Sequence, residues 1–233
     1  MAIAPNAPTQ PPSINPATVL ALRQRWRLQL EQHRAIAVIR TDHWQTGVKA
    51  LLAAARGGMR LLEITWNSDR PDQIIAALRQ RAPHCTVGVG TLRSAEDAKR
   101  AIVAGAQFCF SPHVSPEMIA TAIAHHCPII PGALSPTEVV NAWEAGASAV
   151  KIFPAGNLGG SAYIKSISPV LPDIPLVPSG GVTLDNSADF IEAGAIAVGL
   201  SRQLFPKDAL KSEDWDTVTK RARTLIDALA GQI

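Results

Sequence analysis

One short pattern recurs along this chain and narrows its fold more than any other feature. An amphipathic stretch ends in glycine beside alanine or a second glycine, and a short apolar run follows. Arg56-Gly57-Gly58 precedes Leu61-Leu62-Glu63-Ile64-Thr65, and Ala104-Gly105-Ala106 precedes Phe108-Cys109-Phe110. Glu144-Ala145-Gly146-Ala147 precedes Val150-Lys151-Ile152, and Glu192-Ala193-Gly194-Ala195 precedes Ile196-Ala197-Val198-Gly199. Glycine just past a helix tolerates the left-handed backbone that ends it. The repeating unit is therefore helix, glycine stop, buried strand.

Apolar runs place eight strands, near 35–39, 61–66, 86–90, 108–112, 128–132, 149–153, 176–180 and 195–199. Helical patterns separate them near 44–56, 70–81, 94–104, 115–126, 135–145, 160–170, 184–193 and 214–229. Ser94, Ser115, Ser135 and Asp214 stand where side chains cap helix N-termini. Eight strands alternating with eight helices imply an α/β fold, a single (β/α)8 TIM barrel. A doubly wound open sheet is the competitor, but the first strand–helix junction carries no GxGxxG. An extra N-terminal helix precedes the barrel, with Asn15 as cap, Pro16 in the first turn and Val19, Leu22, Trp26 and Leu30 as its apolar stripe. Its Arg23, Arg25 and Arg27 read as a solvated face. Residues 15–233 suit one domain, and the proline-rich segment 1–14 reads as a disordered tail.

Several function classes are set aside by composition. A formal charge of +3 is too small to argue for nucleic acid. No apolar stretch is long enough to span a bilayer, and the first residues lack the pattern of a signal peptide. Cysteines 85, 109 and 127 show no CxxC spacing, so reduced thiols and a cytoplasmic location are expected. Cys109 and Cys127 read as apolar filler. The histidines show no ligand spacing, so no metal is expected, and His125-His126 suits a helix C-terminus. Trp66, next to Thr65, is a candidate for shaping a pocket.

Lys151 stands out among seven lysines because it alone lies in an apolar strand, Ala149-Val150-Lys151-Ile152-Phe153-Pro154. Burial lowers a lysine's pKa, and a neutral amine attacks carbonyl carbon to form a Schiff base. The alternative is a strand-end lysine that snorkels to water. Strand alternation puts Leu62, Ile64, Val150 and Ile152 against the helices and turns Glu63, Thr65, Lys151 and Phe153 into the barrel. A structural Glu–Lys ion pair is the bland explanation of that lumen. Active sites of such barrels lie at the strands' C-terminal ends.

The runs Leu62-Glu63-Ile64-Thr65, Gly88-Val89-Gly90-Thr91, Ile130-Pro131-Gly132, Val150-Lys151-Ile152-Phe153-Pro154-Ala155, Ser179-Gly180-Gly181 and Val198-Gly199-Leu200-Ser201 together resemble one family. It is that of the 2-keto-3-deoxy-6-phosphogluconate / 4-hydroxy-2-oxoglutarate aldolases, class I aldolases on a (β/α)8 barrel. The resemblance implies Lys151 as the Schiff-base lysine and Glu63 as the general acid/base. It implies Thr91, Pro112 and Phe153 as the pyruvate pocket, and Ser179, Gly180, Gly181 and Ser201 as the phosphate end. It further implies a homotrimer, no cofactor, a 2-keto-3-deoxy sugar acid phosphate as substrate, pyruvate as product and a place in the Entner-Doudoroff pathway. Many members carry an arginine two residues after the Glu-x-Thr, where this chain has Asn67. Relatives acting on the C4 epimer, 2-keto-3-deoxy-6-phosphogalactonate, share that asparagine and hold the substrate carboxylate with an arginine that Arg40 matches. His113 and Leu200 also depart from the usual residues.

Two other classes stay open at this level. A sugar-phosphate epimerase or isomerase would use the glycine motifs but leave Lys151 unexplained. A non-catalytic sugar-phosphate-binding barrel would need neither Lys151 nor Glu63.

Overall fold

The computed structural model describes residues 15–231. The tail expected over 1–14 lies outside the described residues. The strands are β1 Ala35–Ile39, β2 Leu61–Thr65, β3 Thr86–Gly90, β4 Cys109–Phe110, β5 Ile129–Ile130, β6 Gly132–Ala133, β7 Val150–Ile152, β8 Leu176–Pro178 and β9 Val198–Leu200. The helices are α1 Pro16–His33, α2 Trp44–Arg56, α3 Pro71–Arg81, α4 Ala95–Val103, α5 Pro116–Ala124, α6 Pro136–Glu144, α7 Ser161–Ile167, α8 Ser187–Glu192, α9 Lys207–Lys211 and α10 Trp215–Ala230.

Every named strand pair is parallel. One sheet runs β5-β4-β3-β2-β1-β9 and a second runs β6-β7-β8. Pro131 lies between β5 and β6, and its missing N–H divides what periodicity presents as one strand. On the other side a parallel bridge joins Ser179, just past β8, to Gly199 in β9. Parallel strands with a helix between most of them make this an α/β fold of the TIM-barrel kind.

The glycine stops behave as the repeat requires. Gly58, Gly105, Gly146 and Gly194 adopt φ of 102° to 108°, a region costly for a residue with a Cβ. The caps are also in place. Ser94, Ser115, Ser135 and Asp214 each accept a backbone N–H of the first turn, and Asn15 does so for α1.

Three boundaries differ from the periodicity by three residues. The last strand begins at Val198 rather than 195, because the amides of Gly194 and Ala195 already close the end of α8 on Ile191 and Phe190. Helix α7 stops at Ile167, two residues before Pro169, which disfavours helical backbone in the preceding residue. Helix α8 begins at Ser187, because Thr183 and Asn186 first close a turn through reciprocal side-chain bonds of 2.7 and 3.1 Å. A 3-10 turn at Ala155–Leu158 and the short α9 have no counterpart in the periodicity.

The core has two compartments. Leu62, Ile64, Val150 and Ile152 pack with helix residues in the outer one. Ile36, Leu61, Phe108, Phe110, Ile130, Ala149, Val177 and Ala197 form the inner one, together with Trp26 and Leu30 of α1. The Trp26 ring lies 4.8 Å from that of Phe108, which in turn meets Phe110 edge-on at 5.9 Å. Helix α1 thus contributes to the lumen's apolar floor. Arg23 corrects the expectation of a solvated arginine face. Its guanidinium lies 3.4 Å from the Trp143 ring centroid and donates to the carbonyls of Trp143 and Ala147. The carbonyl end of a helix carries negative potential, and a carbonyl oxygen can accept a second bond, which together draw the cation in. Arg25 reaches the His126 carbonyl at 3.1 Å, and Arg27 pairs with Glu31 in solvent.

Trp26→Ala removes the aromatic contribution of α1 to that floor and should cost about 3–5 kcal/mol in urea unfolding. Leu28→Ala on the same helix, at a side chain 65% exposed, should stay within about 0.5 kcal/mol. Equal effects would contradict the placement of α1.

Candidate active site

Glu63 owes its position to β2 and its room to β3. The register sets it between Val38 of β1 and Gly88 of β3. The inward positions of β3 are Thr86, Gly88 and Gly90, and its outward Val87 and Val89 join the helix layer. A Cβ on Gly88 would overlap the Phe108 ring, and one on Gly90 would overlap Glu63 Oε1. The two missing side chains therefore make the space that the acid and the aromatic floor occupy. Glu63 is only 2% exposed. Burial raises its carboxyl to about 7, against an opposing pull from the Lys151 charge.

Lys151 sits in β7 between Gly132 of β6 and Val177 of β8, and is 9% exposed. This rules out the snorkelling alternative. Its Nζ lies 4.6 Å from the Phe153 ring centroid and 5.8 Å from that of Phe110. Burial lowers its pKa, Glu63 opposes the shift, and the positive charge of Arg40 lowers it further. Among the described residues, Glu63 and Lys151 form no ion pair within 4.0 Å. They feel each other's field without neutralising each other, so a structural ion pair does not account for the lumen. Chemically, the pair offers an amine biased toward its free-base form and a carboxyl able to exchange protons near neutrality.

The remaining expected residues fall at or just beyond strand C-termini, on one rim. Arg40 follows β1 and is exposed; Asn67 lies exposed in the turn after β2. Thr91 follows β3 with φ of 60°, a left-handed conformation that is costly for a β-branched residue. Pro112 follows β4, Phe153 follows β7, and Ser201 follows β9. Ser179, Gly180 and Gly181 follow β8, with φ of 77° and 95° at the two glycines. This turn is welded to the segment after β7: Ala155 N–H donates to Ser179 O at 2.9 Å, and Gly156 N–H to Gly180 O at 2.7 Å. A Cβ on Gly181 would come within 2.7 Å of the Gly156 Cα.

Trp66 corrects a sequence expectation. Alternation turns it away from the lumen, where it packs on the helix layer with the Arg100 guanidinium 5.5 Å from its ring. His113 is an exposed loop residue. Cys85, Cys109 and Cys127 are buried free thiols, as filler would be. Periodicity passed over Phe110 as a wall beside Lys151, and the clearance supplied by Gly88 and Gly90. Its signal was present as glycine at alternate positions of one strand. Ser68 and Thr41 were also passed over; both take part in hydrogen bonds between the first two rim turns.

A family model described as KDPG and KHG aldolase matches residues 27–221. A 2-dehydro-3-deoxy-phosphogluconate aldolase of Treponema pallidum is 34% identical over 190 residues, 82% of this chain and 90% of that relative. A solved structure described as native KDPGal is 30% identical with a TM-score of 0.78, covering 85% of this chain and 96% of that one. A KDPG aldolase of Legionella pneumophila, solved with pyruvate captured as a covalent carbinolamine intermediate, is 25% identical with a TM-score of 0.79, over 85% of this chain and 97% of that one.

The Glu63 carboxyl makes stability depend on pH in a defined direction. Below its ordinary value of 4.5 the carboxyl is protonated in the folded and unfolded chains alike. Between 4.5 and about 7 the unfolded chain ionises while the folded one keeps its proton, so folding is progressively penalised. Glu63→Gln removes the titration. Its stability advantage over the parent should grow through this window and level off near 3 kcal/mol (about 1.4 kcal/mol per pKa unit). Urea unfolding of both forms across the window checks this. A flat difference would contradict the burial of an ionisable carboxyl.

Proposed function

This chain belongs to the KDPG and KHG aldolase family, and we propose that it cleaves 2-keto-3-deoxy-6-phosphogluconate to pyruvate and glyceraldehyde 3-phosphate through a Schiff base on Lys151. The observation that carries the reading is a lysine amine buried in the same lumen as a carboxyl raised to about 7. The free amine of Lys151 adds to the C2 ketone, and the carbinolamine loses water to give an iminium. Glu63, directly or through water, supplies the proton that leaves with that water. The iminium then accepts the electron pair of the C3–C4 bond as the C4 hydroxyl proton is removed. Glyceraldehyde 3-phosphate departs, and an enamine stays on Lys151. Protonation at C3 and hydrolysis release pyruvate and return the amine. A carboxyl near neutrality can both take and give these protons.

Phe153, Thr91 and Pro112 would enclose the pyruvate half, and Arg40 with Asn67 would hold its carboxylate. Ser179, Gly180, Gly181 and Ser201 would receive the phosphate, since consecutive positive-φ glycines form an anion nest. The same lumen would accept 4-hydroxy-2-oxoglutarate, giving pyruvate and glyoxylate. A second reading, 2-keto-3-deoxy-6-phosphogalactonate as substrate, is favoured by one arrangement. Asn67 replaces the usual arginine, while the Arg40 charge acts on Lys151 from the first strand's end. The same proposal, for either substrate, includes a closed (β/α)8 barrel with an extra N-terminal helix, spanning one domain over 15–233. The strand order and the Ser179–Gly199 bridge support it. It also includes a cytoplasmic homotrimer, supported by the family likeness and three free thiols.

Initial cleavage rates on both C4 epimers and on 4-hydroxy-2-oxoglutarate, read as pyruvate formed, test the proposal. The parent should cleave the gluconate-type substrate, and Lys151→Ala should abolish cleavage of all three. Glu63→Gln should slow it by about 10²–10⁴. Undiminished cleavage by Lys151→Ala would overturn the mechanism; preference for the galactonate epimer would favour the second reading.

Arg40 is exposed at the rim, so its clamp works against water. Arg40→Ala should weaken pyruvate by about 1.5–3 kcal/mol, the worth of a hydrogen bond to a charged group. The check is the pyruvate concentration for half-maximal inactivation by borohydride. An unchanged value would remove Arg40 from the site.

A further inference from the structure

The turns that carry Arg40 and Asn67 are joined by a hydrogen-bonded patch that neither the family match nor the chemistry requires. The Thr65 hydroxyl lies 3.0 Å from the Ser68 hydroxyl, and Ser68 N–H donates to Thr65 O at 2.9 Å. Ser68 Oγ in turn accepts the N–H of Thr41 at 3.2 Å. That N–H belongs to the peptide linking Arg40 to Thr41, so the bond restrains the ψ angle of Arg40. Asp69 N–H donates to Thr41 O at 2.9 Å, holding the next peptide as well. The Asp69 carboxylate also accepts Trp44 N–H at 3.2 Å. It thereby bonds the first turn of α2, whose own N-cap His43 makes no side-chain cap bond. Thr41 Oγ1 closes its side of the turn, donating to His43 O at 2.8 Å and accepting His43 N–H at 3.1 Å.

We infer that Ser68 is a positioning residue for substrate carboxylate recognition: its hydroxyl aims Arg40 by fixing the peptide that follows it. The inference rests on the reading of Arg40 as the clamp. A guanidinium on a flexible stem loses less entropy on binding when its backbone is already set. Thr65 is 4% exposed and lies two residues beyond Glu63 on the same strand. The bonds therefore run from the strand that bears the acid to the turn that bears the cation. Thr41 is itself buried at 8% exposure, so without the Ser68 hydroxyl its N–H lacks this partner.

Pyruvate-dependent borohydride inactivation separates affinity from chemistry. Ser68→Ala should raise the half-saturating pyruvate concentration by about three- to tenfold, the cost of ordering one long side chain on binding. The maximal inactivation rate should stay as in the parent, because Lys151 and Glu63 are untouched. Ser68→Thr keeps the hydroxyl and should restore the parent's affinity. In an Arg40→Ala background, Ser68→Ala should add no further loss. If Arg40→Ala weakens pyruvate while Ser68→Ala does not, the positioning role fails and the clamp stands. If Arg40→Ala changes nothing, the clamp itself fails and the inference with it. A fall in maximal rate, failure of Ser68→Thr to restore affinity, or additive losses in the double variant would make Ser68 merely structural and overturn the inference.

Discussion

The site depends on placing two ionisable side chains in one low-dielectric lumen without letting them neutralise each other. An ion in such surroundings loses its hydration, and the protein answers by shifting pKa rather than by holding bare charge. Lys151 is moved toward the free amine and Glu63 toward the protonated acid. Each shift is opposed by the partner's charge, so contact between the two would undo both. The strands keep them apart by assigning Glu63 to β2 and Lys151 to β7, in different sheets. The cost is stability, and the apolar floor of Trp26, Phe108 and Phe110 contributes against it.

Absence of side chains matters here as much as their presence. Gly88 and Gly90 leave the space that Phe108 and Glu63 fill, so β3 shapes the lumen by what it omits. The glycine stops before β2, β4, β7 and β9 do the same for topology. Each ends a helix abruptly enough for the next strand to begin within a few residues. The rim turns then inherit positions from strand ends, which is why residues far apart in sequence face one another.

Much of this was legible in the sequence because it follows from local rules. Helix stops, caps and the inward set of Glu63, Thr65 and Lys151 depend on spacing and on residue chemistry at single positions. What escaped depends on neighbours brought from elsewhere. Arg23 left the solvent because Trp143 and two carbonyls near the end of α6 lay beneath it. Trp66 turned outward because β2 keeps its alternation for one residue beyond its last ladder position. Val198 became the start of its strand because the preceding helix end had already claimed the amides of Gly194 and Ala195. The Thr65–Ser68–Thr41 patch joins two turns that no periodicity relates.

The claim that Lys151 is the covalent centre admits one direct measurement. The protein is incubated with pyruvate and borohydride, digested, and the reduced adduct mapped by mass spectrometry across all seven lysines. Burial of a single amine beside an acid predicts one adduct per active chain, on Lys151. An adduct on any of the other six, or none at saturating pyruvate, would contradict it.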